Sequence, residues 1–173
     1  MNFSIPQSIQ ILERTPAVLC EMLHDLSPEW VMKNEGNNTW SPYDVVGHLV
    51  YAERVNWIQR ADVILSDLHD KTFATFDRFA QFEESKGKKI NHLLDEFAQL
   101  RKENISKLMA FKLNKKDLNK TGRHPAFGEV TLSQLLATWT VHDLDHIAQI
   151  SRVMSKQYSD AVGSWVNFLR ILQ

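Results

Sequence analysis

The chain has 173 residues, a length that suits one domain with a core able to bury most of its apolar side chains. With 43% hydrophobic and 24% charged residues it reads as an ordinary globular protein, which excludes a disordered chain and a membrane-embedded one. The formal net charge of -1 argues against a nucleic-acid partner gripped by a basic face.

Apolar positions recur at helical spacing and no strict alternation is long enough for a strand, so the expected fold is all-α. A first helix is predicted over about residues 5 to 26, with Ile9, Leu12, Leu19 and Leu23 facing inward and Ser27-Pro28 as its stop. Cys20 lies on it among apolar neighbours, as a small core residue does; being the only cysteine, it excludes an intrachain disulfide and a cysteine-based zinc motif. A second helix starts at Ser41, which can cap it, with Pro42 at the first helical position and Asp44 in the first turn, and runs to about Leu65. Residues 66 to 87 place Phe73, Phe76, Phe79 and Phe82 at three-residue intervals; this Phe-rich stretch reads as a short excursion packed on the bundle, with a ligand-covering lid as the alternative. A third helix follows over 88 to 111, then a polar connection from Asn114 to Gly128, a fourth helix from Thr131 to Ser155, and an extra C-terminal helix over 159 to 172. The start of the chain has no basic region followed by an apolar run, and nothing approaches the roughly 18 apolar residues that span a bilayer. A single cytoplasmic domain over residues 1–173, without membrane contact, is the expectation.

The chemistry gathers on the fourth helix. His142 and His146 are four residues apart, one turn apart on one face. Leu132, Leu135, Trp139, Ile150 and Val153 continue that face, so both imidazoles are expected to point inward. Buried imidazoles need partners, and a divalent transition metal satisfies two at once; core histidines hydrogen-bonded elsewhere are the alternative. His48 supplies a third candidate ligand, because Val45, His48, Leu49, Ala52 and Val55 describe the inward stripe of the second helix. Three protein ligands leave coordination positions open, the pattern of a catalytic rather than a structural zinc site.

Three segments carry a resemblance: Trp40-Ser-Pro-Tyr-Asp-Val-Val-Gly-His48-Leu, His124-Pro-Ala-Phe-Gly128, and His142-Asp-Leu-Asp-His146-Ile-Ala-Gln149-Ile. In this order they resemble the DinB family of bacterial four-helix-bundle proteins, also described as DinB-like or YfiT-like, over roughly residues 5 to 155. The resemblance implies an up-down-down-up four-helix bundle, one internal metal site on His48, His142 and His146, zinc or nickel as the usual ion with iron as a further candidate, and a homodimer. It further implies a small-molecule substrate and a metal-dependent transferase or hydrolase, since characterised members include thiol-dependent S-transferases and a maleylpyruvate isomerase.

A metal on three neutral imidazoles keeps its full positive charge and can acidify a water or a thiol. Thiol S-transfer, with a low-molecular-weight thiol as cosubstrate, and hydrolysis are both expected uses; a noncatalytic metal-binding dimeric bundle or interaction module is the alternative. Asp44, Asp143 or Asp145 are candidates to hold a ligand ring through its second N–H, against an ordinary surface position. Gln149 could line the pocket or bond to a neighbouring helix. Arg123 and His124 could meet an anionic substrate or simply form a turn. Trp40 and Trp139 could wall the pocket or fill the core, and Glu53 is expected to make an ordinary interhelical or surface pair. His24, His69 and His92 fall outside the constellation, as surface residues.

Overall fold

The computed structural model describes residues 2–173. The predicted first helix is two, α1 (Ile5–Leu12) and α2 (Thr15–Leu23). Pro16 explains the break: it has no N–H to give to the carbonyl of Leu12, and its ring crowds that carbonyl. After a single turn, α3 (Pro28–Val31), the chain enters α4 (Pro42–Val55) through a capping box in which Ser41 Oγ accepts from Asp44 N and Asp44 Oδ2 accepts from Ser41 N at 2.9 Å. The predicted second helix is also broken, at Asn56 (φ -110, ψ -66), and resumes as α5 (Trp57–Leu65). Val55, expected on the inward stripe, is exposed at this break. The short helix α6 (Ala80–Ser85) ends the Phe-rich excursion; α7 (Ile90–Ala110) and, after one turn of α8 (Lys115–Leu118), α9 (Leu132–Lys156) fall close to their predicted bounds.

These pieces make a four-helix bundle. The α1–α2 segment packs on both α7 and α9, and α4–α5 packs on the same two helices from the other side. Consecutive bundle segments therefore sit on opposite corners twice, across the 24–41 connection and across the 111–131 connection. Side chains of α7 repair both helix breaks: Arg101 Nη1 donates to the Leu12 carbonyl at 2.9 Å, and Asn104 Nδ2 donates to the Glu53 carbonyl at 2.7 Å.

The core divides into two apolar clusters. One holds Leu12, Ile58, Ile64, Phe73, Leu132, Leu136 and Trp139; the other holds Leu19, Leu23, Val45, Leu49, Leu93, Phe97 and Ile150. Between them Glu53, Arg101, Asn104, Asp143, His48 and His146 form a buried polar layer.

Two regions depart from the predicted elements. The polar connection contains an antiparallel hairpin, β1 (Thr121–His124) and β2 (Gly128–Thr131), turning through Pro125, Ala126 and Phe127, with Gly128 in the left-handed region at φ 75. The excursion is strapped to it: Phe73 N donates to Arg123 O and Arg123 N to Lys71 O, both at 2.9 Å. The expected C-terminal helix is replaced by two short 3-10 turns, Gly163–Phe168 and Arg170–Leu172, which leave Trp165 and Phe168 exposed. Gly163 stands at φ 53, outside the helical region, and no side chain of these turns is fully buried. Cys20, expected in the core, is half-buried. Among the described residues no helix is long and apolar enough to cross a membrane.

Candidate metal centre

All seven members of the α9 stripe from Leu132 to Val153 turn toward the bundle interior, and His142 and His146 lie among them facing His48 on α4. The Nε2 atom of His142 is 3.1 Å from Nε2 of His48 and 3.1 Å from Nε2 of His146. Among the described residues these three alone form a cluster of possible metal ligands, with ligand atoms all within 4.8 Å of one another.

Burial keeps the three rings neutral at pH 7. It pushes the pKa of His48 down to about 3, helped by the charges of His146 and Arg78, and that of His142 down to about 2, helped by His146, His48 and Arg101. For His146 burial also lowers the pKa, opposed by its hydrogen bond with Gln149 and by the charges of Asp145 and Asp143.

A neutral imidazole carries one proton on its two nitrogens. His146 Nδ1 donates to Gln149 Oε1 at 2.8 Å, which leaves its Nε2 with a bare lone pair aimed at the cluster. The Nδ1 atoms of His48 and His142 are buried without a partner. No placement of protons then satisfies the cluster. A proton on His142 Nε2 leaves a buried Nδ1 lone pair on that ring and an unpaired Nδ1 donor on His48; a proton on His142 Nδ1 makes the Nε2 lone pairs face one another. A divalent cation among the Nε2 atoms accepts all three lone pairs, with the Nδ1–H groups of His48 and His142 left without an acceptor on the chain. The spacing of the Nε2 atoms suits it, since nitrogens each about 2.1 Å from one ion lie roughly 3 Å apart when near a right angle.

Beside the histidines is a second polar group, sealed from solvent. Arg101 donates to Asp143 Oδ2 at 2.5 Å and Oδ1 at 2.9 Å, and to Glu53 Oε1 at 2.9 Å. Asn104 donates to Glu53 Oε2 and Trp139 Nε1 to Glu53 Oε1, each at 2.9 Å. Burial works against the Arg101 charge, but Glu53 and Asp143 outweigh it and hold the guanidinium pKa above its usual value. Two carboxylates against one guanidinium give this group a formal excess of one negative charge, but the two rings feel it differently: Asp143 raises the pKa of His146, while Arg101 lowers that of His142.

On its other side the cluster opens into a cavity of about 430 Å³. Trp40, Trp57, Phe73 and Phe76 make much of its wall, with Arg60 and Arg78 among the lining residues. Phe76 meets His48 edge to face with ring centroids 5.5 Å apart, and Trp57 meets His142 the same way at 5.0 Å.

The other candidate residues divide. His124 lines the cavity and stacks on Phe127 at 4.3 Å. Gln149 holds His146 rather than lining the cavity. Asp44 touches no histidine; its carboxylate is used in the α4 capping box. Asp145 is exposed, and Asp143 goes to Arg101 rather than to a ring. Arg123 is exposed and lies outside the cavity, because alternation along β1 turns His124 inward and Arg123 away. Trp139 lies behind the site, wholly buried and stacked on Trp57 at 5.8 Å. His24, His69 and His92 are exposed as expected.

Sequence reasoning missed Arg101, Asn104, Trp57 and Arg60. Arg101 was detectable, since it recurs on the apolar stripe of its helix with Leu94, Phe97, Ile105 and Leu108. Trp57 and Arg60 carried no such signal, because the break at Asn56 decides which way they face.

A four-helix bundle with three converging histidines at the floor of an open aromatic cavity is a small-bundle scaffold built around one polar site. The chain belongs to the DinB superfamily, whose family model matches residues 11–150. Among solved structures it is similar to YfiT from Bacillus subtilis, described as a probable metal-dependent hydrolase with an unusual four-helix bundle topology, at 21% identity and a TM-score of 0.75, covering 89% of this chain and 87% of that one. It is also similar to TT2238, described as a four-helix bundle protein, at 20% identity and a TM-score of 0.53, covering 86% of this chain and 98% of that one. No curated protein matches the sequence.

Proposed function

We propose that this protein is a divalent-metal-dependent enzyme acting on a small molecule, with His48, His142 and His146 as the metal ligands. The observation that carries the reading is the convergence of three Nε2 atoms that cannot satisfy one another, on the wall of an open cavity. A divalent ion held there, zinc or nickel first and iron next, supplies Lewis acidity and lowers the pKa of a bound water or thiol.

The rest is the work of the chain itself. Gln149 orients His146, Asp143 of the Arg101 group adds negative charge beside that ring, and the aromatic walls offer an apolar surface to a bound molecule. The same arrangement serves hydrolysis and transfer of a low-molecular-weight thiol to an electrophile. The likeness to YfiT, described as a probable metal-dependent hydrolase, favours testing hydrolysis first. A homodimer is also part of the proposal: Val141 and Leu144 on the outer face of α9 are exposed apolar side chains, and sedimentation at micromolar concentration is the check.

Elemental analysis of protein purified without a polyhistidine tag is the decisive experiment, followed by ester, amide and thiol-conjugation panels. We expect about one transition-metal ion per chain, lost in His142→Ala/His146→Ala and in His48→Ala, and retained in His92→Ala. Equal metal content in all of these, or none in the parent and none taken up on titration, would overturn the assignment.

A further inference from the structure

Among the described residues, each arginine that is not exposed has an acceptor for its guanidinium, with one exception. Arg101 has two carboxylates and Arg54 has Glu84 and Glu96. Arg60 is half-buried, lines the cavity beside the histidines, and donates to no carboxylate, carbonyl or side chain. Its guanidinium carbon lies 5.1 Å from the centroid of the Phe73 ring, a contact that positions the charge without neutralising it. Burial lowers its pKa, with no opposing charge to restore it.

The cavity around it is one-sided in charge. Arg60 and Arg78 line it and no aspartate or glutamate does. His124 is close enough to Arg60 that the guanidinium depresses its pKa alongside burial. Asn56, one turn before Arg60, also lines the cavity, and its Oδ1 is buried without a donor. A half-buried guanidinium that faces a cavity with no acceptor on the chain is placed to meet an anion there.

The Phe73 clamp is itself braced. Gly122 lies directly beneath it, so close that a Cβ there would come within 2.6 Å of the ring, and the Phe73 N–H is tied to Arg123 O. The excursion and the hairpin therefore hold Arg60 in place as well as walling the cavity.

We infer that Arg60 is the anion-binding residue of the cavity, and that the natural substrate is a small organic acid whose carboxylate meets Arg60 while an apolar, ring-like body lies against Trp57, Phe73 and Phe76. This rests on the reading of the cavity as the chamber of the three-histidine centre. Arg60 is one turn beyond the break at Asn56 and on a different helix from His142 and His146, so the acid group is held by an element separate from the histidines of α9. Arg78, exposed at the rim, adds to the attraction that brings an anion in.

The test uses 3-phenylpropanoate and its uncharged amide as probes, titrated by calorimetry and by quenching of the cavity tryptophans. Metal-free and zinc-loaded parent protein are compared with Arg60→Gln and with His142→Ala/His146→Ala. We expect the parent to prefer the carboxylate in both metal states. Arg60→Gln should weaken carboxylate binding by on the order of tenfold, leave amide binding unchanged, and keep the parent's metal content and melting temperature. Arg60→Lys should recover part of the loss, because it restores charge without the planar fork. Carboxylate binding equal in Arg60→Gln and parent, binding lost only when the histidines are replaced, or no binding at millimolar concentration would each overturn the inference. Arg60-dependent binding in a protein that takes up no metal would instead overturn the proposed function and leave the anion site standing.

Discussion

Two polar clusters occupy the same cross-section of the bundle, and they differ in their access to solvent. The Arg101 group is sealed, with side-chain exposures of 2% for Arg101 and 0% for Glu53 and Asp143; its carboxylates are met by hydrogen bonds from α7 and α9, and only Arg101 Nε is buried without a partner. The histidine group lies beside it and is incomplete: two ring nitrogens are orphaned, three lone pairs converge, and the near wall is open. Buried polarity alone therefore does not mark a functional site. An unsatisfied cluster with access to solvent does, because only an external partner can complete it.

The largest expected effect separates the two clusters by stability. Arg101→Met strands Glu53 and Asp143 together in the core and should cost about 3–5 kcal/mol in urea denaturation. In metal-free protein His142→Ala/His146→Ala should cost less, since it strands no buried charge and breaks only the hydrogen bond of His146 with Gln149. A larger loss from the histidine pair than from Arg101 would reverse the assignment of structural and functional roles.

An intermediate effect sharpens the histidine side. Gln149→Ala frees the His146 ring to rotate and should weaken zinc binding by roughly 10- to 100-fold in a competition titration. The melting temperature of the metal-free protein should hardly move. Unchanged zinc affinity would mean that Gln149 does not orient the ring.

The smallest effect comes from a third ion cluster, at the surface, which serves as the control for pairing without burial of all partners. Glu35 accepts from Arg152 at 2.5 Å and lies 2.9 Å from Lys156. Its hydrogen bond to Arg152, aided by Lys156 and opposed by burial, lowers its pKa from 4.5 to about 2. A carboxylate whose folded pKa is depressed adds stability that is fully present above the unfolded value and is lost as pH falls through the folded one. The contribution of Glu35 should therefore fade between about pH 4.5 and pH 2, and Glu35→Gln should flatten stability across that window. At neutral pH the substitution should cost no more than about 1 kcal/mol, and less in high salt. A cost matching that of Arg101→Met would show that burial is not what distinguishes the sealed cluster.

Much of the fold was legible in the residues themselves. Helical periodicity placed α7 and α9 to within two residues, Ser41-Pro42 marked the start of α4, and the apolar stripe through His142 and His146 correctly turned both rings inward. Periodicity reports the average environment of a helix face, so it ran through Pro16, whose breaking effect was readable from the residue itself, and could not show that Asn56 breaks its helix or that Thr121–Thr131 pairs as a hairpin too short for alternation to register. Asp44 illustrates a different limit. One carboxylate one turn before His48 fits a partner for the ring and a helix cap equally well, and the cap won because Ser41 N lies 2.9 Å away.

Local spacing of apolar residues is enough to place three histidines on inward faces of two helices. That their Nε2 atoms meet, that Arg101 takes up Glu53 and Asp143, and that Arg60 faces the cavity without a counterion are consequences of tertiary packing. Those outcomes depend on how helices far apart in the chain are brought together and on the break at Asn56, and no local pattern encodes either.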